Sequence, residues 1–196
     1  GETNGGVTVG CAVSSHDYFE SDVKEAPHGG GPGVATGGKR TQPDMMVFSY
    51  QGEGDLAANG TAETVHIGTR GENTVIIFIN NTTYGMTGGQ MAPTTLPGQV
   101  TQTTPFGRNV ETAGYPIRIC EMMATLSGTA LAQRVAIDSV PHIREAKKAI
   151  RKAFQNEKEK RGLSIIEVLS TCPTNWGLSP VEAMGFVKDK MIPYYP

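Results

Sequence analysis

The chain has 196 residues and a net charge of −2, enough length for one sizeable core but no basic excess to recruit nucleic acid or an anionic membrane surface. No apolar run is long enough to span a membrane. Three cysteines, Cys11, Cys120 and Cys172, are too few for a disulfide framework and point to a reducing cytoplasmic setting.

Taken in order, residues 1–6 read as a loop leading into an extended segment at 7–11. The absence of an initiator methionine suggests a fragment or a processed product. Ala35-Thr36-Gly37 opens a helix. Residues 45–50 form a short apolar run that ends in a glycine turn, as a buried parallel strand does. Residues 56–70 then read as a helix, and residues 74–80 are β-branched, apolar and bounded by polar turns, a second strand. Strand, helix, strand is a right-handed βαβ crossover. Residues 82–114 show little periodicity and much Gly, Thr, Gln and Pro, the mark of a functional loop. Beyond it come a helix at 115–126, a strand at 131–137, an amphipathic helix at 142–160, a strand at 163–169 and a final helix at 180–191. The basic residues at 142–160, interleaved with Glu145, Glu157 and Glu159, are a solvated face and carry no assigned function. The alternation predicts an α/β fold with a doubly wound, mostly parallel sheet, as a single domain over 1–196.

The informative chemistry lies at the ends of the first two strong strands. Gly52-Glu53-Gly54-Asp55 is a tight turn that lets backbone N–H groups approach a phosphate. Glu53 within it can hold a divalent cation, and Asn80-Asn81 after the next strand can complete the coordination. Together they describe a Mg²⁺-diphosphate clamp at the carboxyl ends of parallel strands. A helix-capping role accounts for Asp55 but not for the whole set.

Gly52-Glu53-Gly54-Asp55-Leu56, Asn80-Asn81, the run from Tyr84 through Gly85, Met86, Thr87, Gly88 and Gly89 to Gln90, Pro93-Thr94-Thr95, and the segment from Thr171 through Cys172 to Gly177 carry a resemblance. Together they are similar to the thiamine-diphosphate-binding β subunit of 2-oxoacid:ferredoxin oxidoreductases, from about Val9 to the C terminus. The resemblance implies oxidative decarboxylation of a 2-oxoacid, with thiamine diphosphate as electron sink. Electrons would pass through an iron–sulfur cluster to ferredoxin, and coenzyme A would take the acyl group. It also implies α (and possibly γ/δ) partner subunits, the α subunit supplying the glutamate that activates the cofactor.

Residue by residue, the resemblance assigns the cation to Glu53, Asn81 and the Thr83 carbonyl, with Glu53 standing where the family has Asp. Cofactor contacts fall on Gly10, Cys11, Ala12, His28, Gly29, Gly54, Asp55, Gly85 and Met86. His28-Gly29 departs from the family's His-Gly-Arg, since Gly30 replaces the arginine. Ser14 and Met86 are candidates for the substrate pocket. Neither carries a charge, which favours pyruvate or a branched-chain 2-oxoacid over 2-oxoglutarate. Cys11 and Cys172 correspond to two ligands of a [4Fe–4S] cluster, and this chain by itself is expected to hold it incompletely. Those departures motivate an alternative, a degenerate subunit that binds cofactor weakly or not at all and serves assembly. A phosphate-binding protein of similar fold without thiamine is disfavoured by residues 84–95.

Overall fold

The computed structural model describes residues 3–196. In chain order it contains β1 (Thr3–Thr8), a 3₁₀ helix (Cys11–Tyr18), β2 (Asp22–Ala26), α1 (Gly31–Thr41), β3 (Met46–Gly52), a π-helical segment (Gly54–Asn59) and α2 (Thr61–Arg70). Then follow β4 (Val75–Asn80), β5 (Thr83–Tyr84), β6 (Gln90–Met91), α3 (Val110–Ala113), α4 (Ile119–Ala124), β7 (Thr129–Ala136) and α5 (Val140–Lys158). The chain closes with β8 (Leu163–Leu169), α6 (Pro173–Trp176), α7 (Pro180–Phe186), a second π-helical segment (Val187–Met191) and α8 (Ile192–Tyr194).

Six strands form one sheet in the order β2-β1-β3-β4-β8-β7, every neighbouring pair parallel. The doubly wound expectation is met. The chain leaves β1 toward β2 on one side and returns to β3 on the other, so a topological switch point lies between β1 and β3. In such sheets ligands bind at that point, beyond the carboxyl ends of the strands.

Strand alternation distributes the core. Val75 and Ile77 of β4, with Ile166 and Val168 of β8, face α5, whose Ala146, Ala149 and Ala153 allow close approach. Ile76 and Phe78, with Leu163 and Ile165, face the opposite layer, where Ile67 of α2 and Ile119 and Met123 of α4 pack. β4 and β8 are buried on both faces, which is why apolar residues fall on both sides of each strand rather than on one. A third cluster, Leu96, Leu169, Val187, Met191 and Tyr195, fastens the C-terminal helices to the sheet edge.

Several sequence expectations shift. Within the expected loop at 1–6, Thr3 onward belongs to β1, while Gly1 and Glu2 lie outside the described residues. The glycines there are strand positions: a Cβ on Gly5 would sit 2.6 Å from Phe48 Cζ, so Gly5 makes room for that ring. Helix α1 starts at Gly31 rather than near Ala35, with Pro32 in its first turn, where a missing N–H costs nothing. The helix expected at 56–70 is divided at Gly60, whose amide bonds the Asp55 carbonyl at 2.7 Å and widens the first turn. Helix 115–126 shrinks to Ile119–Ala124 because Ile117 donates to the Pro93 carbonyl at 3.0 Å, holding the preceding residues onto the loop. The helix at 180–191 is α-helical only to Phe186 and then widens. Strand β2, an edge strand rich in charge, has no counterpart in the sequence reading.

Candidate functional site

Each strand of the switch-point region delivers its functional residues just past its carboxyl end: Gly10 and Cys11 after β1, Glu53 after β3, Asn81 after β4 and Cys172 after β8. All of these but Cys172 border a cavity of about 350 Å³. Of the residues anticipated from sequence, Gly10, Cys11, Ala12, His28, Glu53, Gly54, Asp55, Asn81, Gly85 and Met86 line it. Gly29 and Thr83 stand behind this lining. Ser14 does not line the cavity. It is exposed on the 3₁₀ helix. The sequence reading gave no role to Val9, Tyr50, Ile79 and Tyr84, which form much of the wall. The available signal was position: Tyr50 and Ile79 lie near the carboxyl ends of β3 and β4.

Glu53 is 4% exposed, and burial pushes its carboxyl up to about 8, with the nearby Glu167 adding to the rise. The Asn81 backbone amide donates to Glu53 Oε1. The Asn81 side chain lies between Glu53 and the Thr83 carbonyl. With its nitrogen turned inward it donates to the Thr83 oxygen at 2.7 Å and to Glu53 Oε1 at 2.8 Å. With its oxygen turned inward, three acceptors face one another, an arrangement that a cation reconciles. Octahedral Mg²⁺ at about 2.1 Å separates neighbouring ligand oxygens by about 3 Å, so the spacing of this trio suits it. Among the described residues no cluster of three His, Cys, Asp or Glu could bind a metal. The donor set here is one carboxylate with amide and carbonyl oxygens, which suits a hard cation rather than zinc or iron.

Thr82, between the two candidate ligands, has φ +60°, a left-handed conformation that costs a β-branched residue about 1–3 kcal/mol. Surrounding hydrogen bonds impose it. Asp55 has a different job from Glu53. Its Oδ1 accepts from the Gly29 amide at 2.5 Å, its Oδ2 accepts from Gln51 Nε2, and His28 Nδ1 lies 3.8 Å away. It therefore ties the His28–Gly29 turn to the floor of the cavity. Gly29 has φ +83°, and a Cβ there would meet the Asn59 carbonyl carbon at 2.9 Å, so the turn requires glycine on both counts.

Cys11 and Cys172 converge on Gly85, where a Cβ would come within 3.0 Å of the Cys11 sulfur and 3.6 Å of the Cys172 sulfur. Partial burial, Cys172 and Glu53 all push the Cys11 thiol up. Cys172 Sγ accepts from Asn175 Nδ2 at 3.1 Å, and the same nitrogen donates to the Gly85 carbonyl at 3.0 Å. Cys120 is buried in α4, where burial drives its thiol far upward and Glu167 is its polar neighbour. A cubane cluster takes four thiolates, so the two that meet here fit only half of one. No electron-transfer step is assigned to them.

The glycine-rich connection after Asn81 is ordered around the β5–β6 hairpin and Arg108. That guanidinium, 5% exposed, donates to the carbonyls of Ala92 (3.3 Å), Pro93 (3.0 Å), Thr95 (2.7 Å), Ala113 (3.1 Å) and Gly114 (3.0 Å). Carbonyl dipoles replace a carboxylate partner, and burial lowers its pKa.

Residues 8–168 match the family model for the thiamine pyrophosphate enzyme, C-terminal TPP binding domain. The ketoisovalerate oxidoreductase subunit VorA of Methanothermobacter thermautotrophicus is 44% identical over 96% of this chain and 39% of its own length. The 2-oxoglutarate synthase subunit KorB of Methanocaldococcus jannaschii is 33% identical over 94% of this chain and 66% of its own. Among solved structures, the 2-oxoglutarate:ferredoxin oxidoreductase from Magnetococcus marinus, with 2-oxoglutarate, coenzyme A and succinyl-CoA bound, superposes with a TM-score of 0.77. It is 26% identical, with 96% of this chain and 60% of that one covered. The chain thus spans only part of the length of each of these proteins.

Proposed function

Because the chain belongs to the thiamine pyrophosphate enzymes through their C-terminal TPP binding domain, we propose that it is the cofactor-binding subunit of a 2-oxoacid:ferredoxin oxidoreductase. On this reading the chain is a single thiamine-diphosphate-binding domain. The reaction is oxidative decarboxylation of a 2-oxoacid to an acyl-CoA and CO₂, with electrons passed to ferredoxin. The observation that carries the reading is the convergence of Glu53 Oε1, the Asn81 side chain and the Thr83 carbonyl beyond the carboxyl ends of β3 and β4.

These three groups would hold Mg²⁺ and, through it, the diphosphate of the cofactor. Thiamine diphosphate, when bound, supplies an electron sink for cleavage of the carbon–carbon bond beside a carbonyl. The protein's own part is placement and exclusion of water. Val9, Tyr50, Ile79 and Met86 make an apolar wall, and His28 with Asp55 closes the floor. No Lys or Arg is among the lining residues, so the wall offers no partner to a second substrate carboxylate. That favours pyruvate or a branched-chain 2-oxoacid.

Among the described residues, the carboxylates lining the cavity are Glu53 and Asp55. The first belongs to the cation and the second to Gly29 and Gln51. The group that activates the aminopyrimidine then comes from outside these residues, and the resemblance points to the α subunit of the same complex. Coenzyme A and ferredoxin are the further partners the reaction requires. No helix among the described residues is long and apolar enough to cross a membrane, and with three free thiols a cytoplasmic setting is the natural one. An assembly-only role is disfavoured by the complete oxygen donor set.

Calorimetric titration with thiamine diphosphate and Mg²⁺ tests the proposal. Saturable, Mg²⁺-dependent binding is expected, and Asn81→Ala should weaken it several-fold or more, roughly 10-fold, through loss of one ligand oxygen. Unchanged affinity in that variant would overturn the assigned geometry.

A further inference from the structure

We propose that Asn80 and Glu167 are positioning residues, which set the conformation of the turn that presents Asn81 and the Thr83 carbonyl to the cation. This rests on the reading of Glu53, Asn81 and Thr83 as cation ligands, and it gives Asn80 and Glu167 a role that the ligand set itself does not include.

Thr82 separates the two ligands, and each of its polar atoms is held. Its amide donates to Asn80 Oδ1 at 3.1 Å, its hydroxyl accepts from Gln99 Nε2 at 2.9 Å, and its carbonyl accepts from Thr95 Oγ1 at 2.5 Å. The amide contact matters most, because it fixes the peptide that follows Asn81. An asparagine amide is nearly symmetric in shape, so something must decide which end faces Thr82. Glu167 decides it. Its Oε1, an acceptor only, takes the Asn80 Nδ2 donor at 2.7 Å and so leaves Oδ1 facing the turn.

Glu167 sits in the middle of β8, opposite Phe78 of β4, and is fully buried, as is Asn80. A carboxylate at that depth is costly without compensation. Arg134 of β7 provides it, with Nε at 3.0 Å and Nη2 at 2.9 Å from Glu167 Oε2. Arg134 in turn pairs with Glu121 at 2.6 Å and donates to the Pro196 carbonyl at 2.8 Å. The relay from β7 through β8 to the end of β4 thus terminates on a left-handed residue between two ligands. Partners of this kind behind ligand-bearing groups orient them and raise affinity.

Reversing the polarity of the Asn80–Glu167 contact separates positioning from mere packing. The measurement is Mg²⁺ affinity at saturating thiamine diphosphate, in the assembly in which the chain purifies, at a temperature where every variant is folded. Electron paramagnetic resonance of Mn²⁺ in place of Mg²⁺ reports the ligand geometry. Asn80→Asp sets two acceptors against each other and is expected to weaken Mg²⁺ binding about 10-fold or more. Glu167→Gln is the milder variant, with a loss of roughly 3-fold, because its amide can still turn toward either neighbour. Combining the two restores a donor and an acceptor across the contact and keeps one carboxylate near Arg134. Affinity and the Mn²⁺ spectrum should then return close to those of the unaltered protein.

Unchanged affinity in both single variants, while the unaltered protein binds, overturns this inference alone. So does a double variant that folds but recovers neither affinity nor spectrum. Absence of Mg²⁺-dependent binding in the unaltered protein overturns the cation-site reading, and this inference with it.

Discussion

Glu53 is the residue whose chemistry is most sensitive to conditions. Its carboxyl rises from an ordinary 4.5 to about 8 in the folded chain, chiefly through burial. Between those values the folded state holds a proton that the unfolded state releases. Stability is therefore fully present below about pH 4.5 and declines as pH rises toward 8. A bound cation favours the carboxylate and removes that slope. In chelator, the melting temperature should fall between pH 5 and 8. With Mg²⁺ and thiamine diphosphate it should flatten, and in Glu53→Gln the chelator curve should already be flat. Scanning calorimetry across that range distinguishes the three. A chelator curve without slope would mean that Glu53 is less buried, or better partnered, than its surroundings indicate.

At the scale of elements, the segment between β4 and α4 is held by one side chain rather than by a core of its own. Arg108 gathers five carbonyls from residues 92–114, and its removal leaves several of them buried without donors. Arg108→Leu should cost about 2–4 kcal/mol, since each unsatisfied buried group costs about 1–3 kcal/mol and relaxation recovers part of the loss. Arg108→Lys should recover little, because a point charge cannot reach both halves of the loop. Denaturant midpoints at constant slope give the comparison, and a loss below about 1 kcal/mol in Arg108→Leu would show the loop to be organised otherwise. The hairpin bearing Tyr84 and Gly85 hangs from this loop, so cofactor affinity should fall together with stability.

At the scale of the whole molecule, the connection from β4 to β7 carries large apolar side chains into solvent. Phe106 is fully exposed, and Met86, Val100 and Tyr115 are largely so. Met86 lies at the cavity itself. Exposed apolar side chains of this kind, one of them at the cavity, fit a chain that works against a partner. The chain alone is expected to show no 2-oxoacid-dependent electron transfer, and Phe106→Asp should weaken assembly about 10-fold or more while leaving its melting temperature unchanged. Sedimentation or native mass measurements of the assembled complex test this. Robust turnover by the isolated chain would contradict it.

The parallel α/β architecture was readable in the sequence because its signals are local. The short, largely apolar segments Val75–Asn80 and Leu163–Leu169, bounded by turn residues, read as strands buried on two faces, and the turns after β3 and β4 carry their chemistry within a few residues. The grouping of Glu53, Asn81 and Thr83 as a set came from the family resemblance rather than from spacing. What tertiary structure alone decided is each role set by partners distant in sequence. Asp55 becomes a brace for Gly29, 26 positions away, Arg108 the organiser of a loop, and Glu167 the partner of Asn80, 87 positions away. Edge strand β2, too polar to stand out, forms because β1 supplies its ladder. Helix α4 is shortened because Ile117 finds its partner at Pro93. A side chain's residue type limits which bonds it can make, but its neighbours across the fold select among them, and no spacing along the chain encodes that choice.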